Sequence, residues 1–180
     1  VTARVDLDPA SRFFRDEPGI GRRIVATTAD GPEDRIAPLA GALGAEVFDV
    51  DLNVLDEKGW AELRAAFIEH SVLVIRDQKL EPADLMTAGS RFGEPCHYPF
   101  VTGMDGFPFI FEVVKEPDEK QNFGGAWHSD TTYLKQPPLA TLLYAVETPT
   151  HGGDTLFANT AAAYDALSEG MRKLVDGLIG

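Results

Sequence analysis

Residues 45–50 (AEVFDV) alternate between apolar and polar positions, which predicts a strand. The pattern then changes period. Trp60, Leu63 and Phe67 recur at helical spacing behind Asp56, a side chain suited to cap a helix N-terminus. Residues 71–75 (SVLVI) form a short β-branched run, read as a buried strand leaving into a turn at Arg76-Asp77-Gln78. Glu81-Pro82 predicts a second helix with Pro82 at its first position. Leu85, Ala88 and Phe92 line its inner face, and Gly93 ends it.

Further along, residues 108–114, 139–146 and 155–158 read as strands, and residues 115–125 (KEPDEKQNFGG) as a polar, glycine-ended loop. Thr160 is placed to cap a helix through Leu167, and Ser168 to cap another. In that last helix Met171, Leu174, Val175 and Leu178 form one stripe. The order is α+β with a mainly β core, not a regular βαβ alternation. Residues 27–38 (TTADGPEDRIAP) are polar and proline-broken. They divide the chain into an N-terminal extension and connector, residues 1–38, and a domain over residues 39–180.

Composition narrows the function classes. Of the 180 residues, 44% are hydrophobic, enough for a core, and the formal net charge is −13. An acidic surface repels phosphate backbones and anionic lipid, so neither nucleic acid nor a membrane is an expected partner. The single cysteine, Cys96, forms no internal disulfide and has no evident activating partner, so a packed thiol is expected. No signal peptide or membrane-length apolar run is visible, and the expected setting is cytoplasmic. No Gly-rich dinucleotide or phosphate-loop fingerprint occurs.

The candidate chemistry sits at Trp127-His128-Ser129-Asp130. In an extended chain, side chains at i and i+2 share a face, so His128 and Asp130 can converge on one ion. An imidazole and a carboxylate are two of the three groups of the facial triad that holds Fe(II) with open positions. The spacing alone is weak: roughly 0.4 His-x-Asp matches arise by chance in this composition. A strand histidine bonded to a neighbouring carboxylate has the same spacing, and two such groups also suit Zn²⁺.

The surrounding order of motifs is more specific. Thr131-Thr132-Tyr133 and Pro137-Pro138 follow the pair, then an apolar run, then Gly152-Gly153-Asp154-Thr155-Leu156-Phe157. Upstream lie Gly44-Ala45-Glu46, Asp51-Leu52, Val74-Ile75-Arg76-Asp77-Gln78 and Arg91-Phe92-Gly93-Glu94. From about Leu39 onward the chain resembles the taurine dioxygenase and 2,4-dichlorophenoxyacetate dioxygenase family.

That resemblance implies a double-stranded β-helix, a cupin-like jelly roll with flanking helices. It implies an enzyme that uses Fe(II), O₂ and 2-oxoglutarate to hydroxylate a small anionic molecule, releasing succinate and CO₂. His128 and Asp130 become metal ligands and catalytic residues, and Thr155 a contact to the 2-oxoglutarate carboxylate. His97, Tyr98 and Thr131 become candidate substrate contacts. Taurine enzymes carry polar residues before the metal motif, where this chain has Gly124, Gly125 and Ala126. Other sulfonates, sulfate esters and small carboxylates therefore stay open as substrates.

The family also carries a later His, followed shortly by an Arg, as third ligand and carboxylate anchor. No such pair follows here, and His151 is too close in sequence to be that ligand. The expectation is an apparently truncated chain, the N-terminal part of the domain. The alternatives are a non-redox cupin-like metal-binding protein and an inactive fragment. Assembly as a homo-oligomer is left open.

Overall fold

The computed structural model describes residues 35–116, 118–120 and 123–178. The chain divides into two compact units. The first runs to Gln78 and resumes at Leu143, and the second spans Lys79–Leu142. Most of the extension over residues 1–38 lies outside the described residues.

The first unit is built on three short strands, β1 (Ile36–Pro38), β2 (Ala45–Val47) and β3 (Leu73–Ile75), in the order β1-β2-β3. β1 pairs antiparallel with β2, with Ile36 opposite Val47. β2 pairs parallel with β3, with Ala45 opposite Leu73. Residues 36–38, read from sequence as the end of a polar connector, are thus an edge strand. Pro38 is tolerated there because an edge position needs no second ladder donor.

β2 is the centre of the core, with Ala45, Glu46 and Val47 all buried. Between β2 and β3 runs α1 (Glu57–His70), the crossover that parallel pairing requires. Asp56 caps it as predicted, accepting from Gly59 N at 2.8 Å. Trp60, Leu63 and Ala66 are buried, while Phe67 is only partly so. Ser71 ends the helix in the left-handed region, φ 64°, and its N–H closes on the Phe67 carbonyl. The chain then re-enters the sheet, with Ala45 N bonded to Val72 O at 2.9 Å.

Gln78 ties the loop after β2 to the end of β3. Its Oε1 accepts from Leu52 N at 3.0 Å, and its Nε2 donates to the carbonyls of Val50 and Arg76. The Tyr144 hydroxyl donates to the Gln78 carbonyl at 3.2 Å, which attaches the returning chain to the same point.

In the second unit, α2 (Pro82–Ser90) starts at Glu81 with Pro82 at its first position. A reciprocal capping box joins Glu81 and Asp84. Ala88 is its buried residue, and the helix ends at Ser90, short of Gly93. Back in the first unit are α3 (Thr160–Asp165) and α4 (Glu169–Val175). The cap of α3 is Asn159, not Thr160: its Oδ1 accepts from Ala162 N, while its amide donates to the Ala42 carbonyl. The amide serves both partners, accepting through its oxygen and donating through its nitrogen. Ser168 caps α4 as predicted. The apolar stripe is not buried, however: Met171 and Leu174 on α4 are exposed, and Leu178, expected on the same helix, lies past its end at Val175 and is exposed as well.

The α+β order holds, but the described residues form no jelly roll. Residues 108–114, 139–146 and 155–158 have strand composition yet enter no named strand. A strand is completed by a run of hydrogen bonds along a neighbour, and here only single contacts form, such as Met104 N to Ile110 O at 2.7 Å and a lone bridge at Tyr144. Several of their apolar side chains, Val113, Val114, Val146 and Phe157 among them, are exposed.

Candidate metal site

His128 and Asp130 lie in the second unit on irregular chain, not on a strand. Their side chains nevertheless converge. His128 Nε2 stands 3.2 Å from Asp130 Oδ1, and both side chains are about half exposed, at 54% and 48%.

The far side of each group is held. His128 Nδ1 is 2.7 Å from the Ala126 carbonyl oxygen. A carbonyl only accepts, so Nδ1 carries the proton in this arrangement. A neutral ring then presents the Nε2 lone pair to a carboxylate oxygen. Two acceptors at that distance repel unless a cation sits with them, either a second ring proton or a metal ion. Asp130 Oδ2, the other carboxylate oxygen, accepts from Thr141 Oγ1 at 3.0 Å.

The spacing suits a metal. Bonds of about 2.1 Å in octahedral geometry put adjacent ligand atoms about 3.0 Å apart. The donor set, one imidazole nitrogen and one carboxylate oxygen, is that of two thirds of a facial triad. Among the described residues no group of three His, Cys, Asp or Glu side chains comes together.

The backbone around the pair is constrained. Gly124 has φ +66°, and a Cβ there would lie 3.1 Å from His128 Cε1, so glycine keeps the imidazole's place clear. Thr131, directly after Asp130, sits at φ 47° with only 5% of its surface exposed. A β-branched residue in the left-handed region is an outlier that its surroundings must hold in place. Trp127, directly before His128, is 70% exposed.

The other candidates distribute as follows. His97 is exposed and lies against Phe109, with ring centroids 4.5 Å apart. Tyr98 is half-buried, stacked on Phe111 at 5.2 Å and edge-on to Phe100 at 5.7 Å. Phe100 in turn meets Tyr133, and Phe111 meets Phe123. Sequence reasoning singled out His97 and Tyr98 but missed the phenylalanines around them. Their recurrence at 100, 109, 111 and 123 was the available signal. Thr155 is exposed and belongs to the first unit. Cys96, expected to be packed, is exposed. Among the described residues no helix is long and apolar enough to cross a membrane.

Comparison with known proteins gives a consistent answer. Residues 35–179 match the family described as taurine catabolism dioxygenase TauD, TfdA family. An alpha-ketoglutarate-dependent sulfate ester dioxygenase of Pseudomonas putida is 35% identical over 156 residues, which cover 86% of this chain and 51% of that protein. An (S)-phenoxypropionate/alpha-ketoglutarate-dioxygenase of Sphingobium herbicidovorans is also 35% identical, over 82% of this chain and 52% of its own length. The crystal structure of a taurine dioxygenase from Burkholderia xenovorans matches with a TM-score of 0.66 and 34% identity, over 81% of this chain and 52% of that one.

The chain belongs to the TauD/TfdA family of alpha-ketoglutarate-dependent dioxygenases. It spans about half the length of the relatives it matches.

Proposed function

We propose that the whole protein is an Fe(II)- and 2-oxoglutarate-dependent dioxygenase that hydroxylates a small anionic organic substrate. The supporting observation is the convergence of His128 Nε2 and Asp130 Oδ1 at 3.2 Å, with the imidazole's other nitrogen tied to a carbonyl. In this reading His128 and Asp130 hold the metal. Bound Fe(II) chelated by 2-oxoglutarate supplies O₂ activation, and turnover releases succinate and CO₂. Thr155 donates a hydrogen bond to a 2-oxoglutarate carboxylate. His97, Tyr98 and Thr131 contribute to substrate binding. The whole domain is a double-stranded β-helix in which these three apolar runs form strands.

For the substrate we favour sulfate esters, sulfonates and aryloxy carboxylates. The relatives named for a sulfate ester and for phenoxypropionate support this class, since both molecules join an anionic head to an organic group. The aromatic surround of His97 and Tyr98 suits such an organic group.

The test is succinate release by the whole protein, supplied with Fe(II) and 2-oxoglutarate, across a panel of these three classes. Turnover above the substrate-free background with one class supports the reading. Metal binding with no succinate from any class and no anaerobic visible band on adding 2-oxoglutarate overturns it in favour of a non-redox metal protein.

A further inference from the structure

We infer that Thr141 is a positioning residue that fixes how Asp130 faces the metal, so that the carboxylate offers one oxygen and not two. The inference rests on the metal reading above. Asp130 has two chemically equivalent oxygens, and the structure makes them different. Oδ2 accepts from the Thr141 hydroxyl at 3.0 Å, while Oδ1 faces His128 Nε2 at 3.2 Å. Eleven residues separate Thr141 from Asp130, so the contact comes from how the chain doubles back and not from local turn geometry.

The consequence is chemical. A free carboxylate can turn about its Cβ–Cγ bond and chelate an ion with both oxygens. Chelation by Asp130 would occupy a position that a chelating cosubstrate needs. A hydroxyl donated to one oxygen opposes that rotation and lowers that oxygen's availability as a ligand. The Ala126 carbonyl performs the matching task for His128 by fixing the proton on Nδ1 and leaving Nε2 free to bind. Each of the two ligands thus has one supporting contact on its outer side.

Thr141→Val keeps the side-chain shape and deletes the hydroxyl, and Thr141→Ser restores the hydroxyl without the methyl. Fe(II) and Co(II) affinity should be measured anaerobically by titration on the whole protein, together with the Co(II) visible spectrum. Thr141→Val is expected to weaken binding roughly tenfold, the low end for removing such a support, and to alter the Co(II) band pattern. Thr141→Ser is expected to restore both. Wild-type affinity and spectrum in Thr141→Val overturn the inference, as does a Thr141→Ser variant no better than Thr141→Val. Asp130→Ala separates the two levels. If it loses metal binding while Thr141→Val binds as wild type, only the positioning role fails. If Asp130→Ala itself binds metal as wild type, the metal reading fails and this inference with it.

Discussion

Arg76 donates through Nε to Glu46 Oε1, joining the end of β3 to the centre of β2, where the Glu46 side chain is only 4% exposed. Glu46 is the one acidic side chain of the three-stranded sheet, and it lies between Ala45 and Val47 in the most enclosed strand. A buried carboxylate is costly unless paired, and Arg76 is the cation that meets it.

Removing Arg76 should therefore cost more than removing the pair. Arg76→Ala leaves a buried charge alone and is expected to destabilise the protein by about 3 kcal/mol. The double change Glu46→Leu with Arg76→Met should cost less than Arg76→Ala by itself. Denaturant unfolding of the three proteins measures both. A double variant less stable than Arg76→Ala would show that the pair contributes net stability beyond charge compensation.

Gln78 makes a different kind of join, through neutral hydrogen bonds. Gln78→Ala removes one acceptor and two donated bonds around Val50, Leu52 and Arg76, for an expected loss of about 2 kcal/mol. Gln78→Glu should be worse, because a carboxylate would face two carbonyl oxygens in place of an amide that donates to them. Thermal unfolding of both variants ranks them, and equal stability would contradict the assignment of the amide.

At the candidate metal site, Gly124→Ala tests the space beside His128. The new Cβ has to adopt φ +66° and would stand 3.1 Å from the imidazole. The left-handed backbone costs an alanine about 1 kcal/mol. The larger expected effect is on the ligand, with metal affinity falling roughly tenfold as the ring is pushed off its line to Asp130. Calorimetric titration with Fe(II) or Co(II) reads this directly, and unchanged affinity would mean that the ring has room to yield.

Asp56 offers a simpler stability test. Its carboxylate accepts from Gly59 N at the start of α1, so Asp56→Ala should cost about 1 kcal/mol and Asp56→Ser much less. Chemical denaturation midpoints check the order of the three proteins.

The features legible in sequence were those settled within one turn of chain. Asp56, Glu81-Pro82 and Ser168 start helices where local chemistry says they should. The His-x-Asp pair was visible because its two members are only two positions apart. The motif order around it carried the family. Asn159 and Thr160 are both good cap types in adjacent positions, and the bond from Asn159 to the Ala42 carbonyl, 117 residues away, is a contact that no local pattern shows.

The chain's own residues thus determined its helix starts, its candidate ligands and its kinship. Tertiary structure decided which strand-like runs become strands. Residues 36–38, the proline-ended tail of a polar segment, pair with β2, while the longer apolar runs 108–114 and 139–146 enter no named strand among the described residues. The reason is that helical hydrogen bonds close within four residues, whereas a strand's bonds need a neighbour that no local pattern can supply. The same non-local closure placed Arg76 against Glu46 and Thr141 against Asp130.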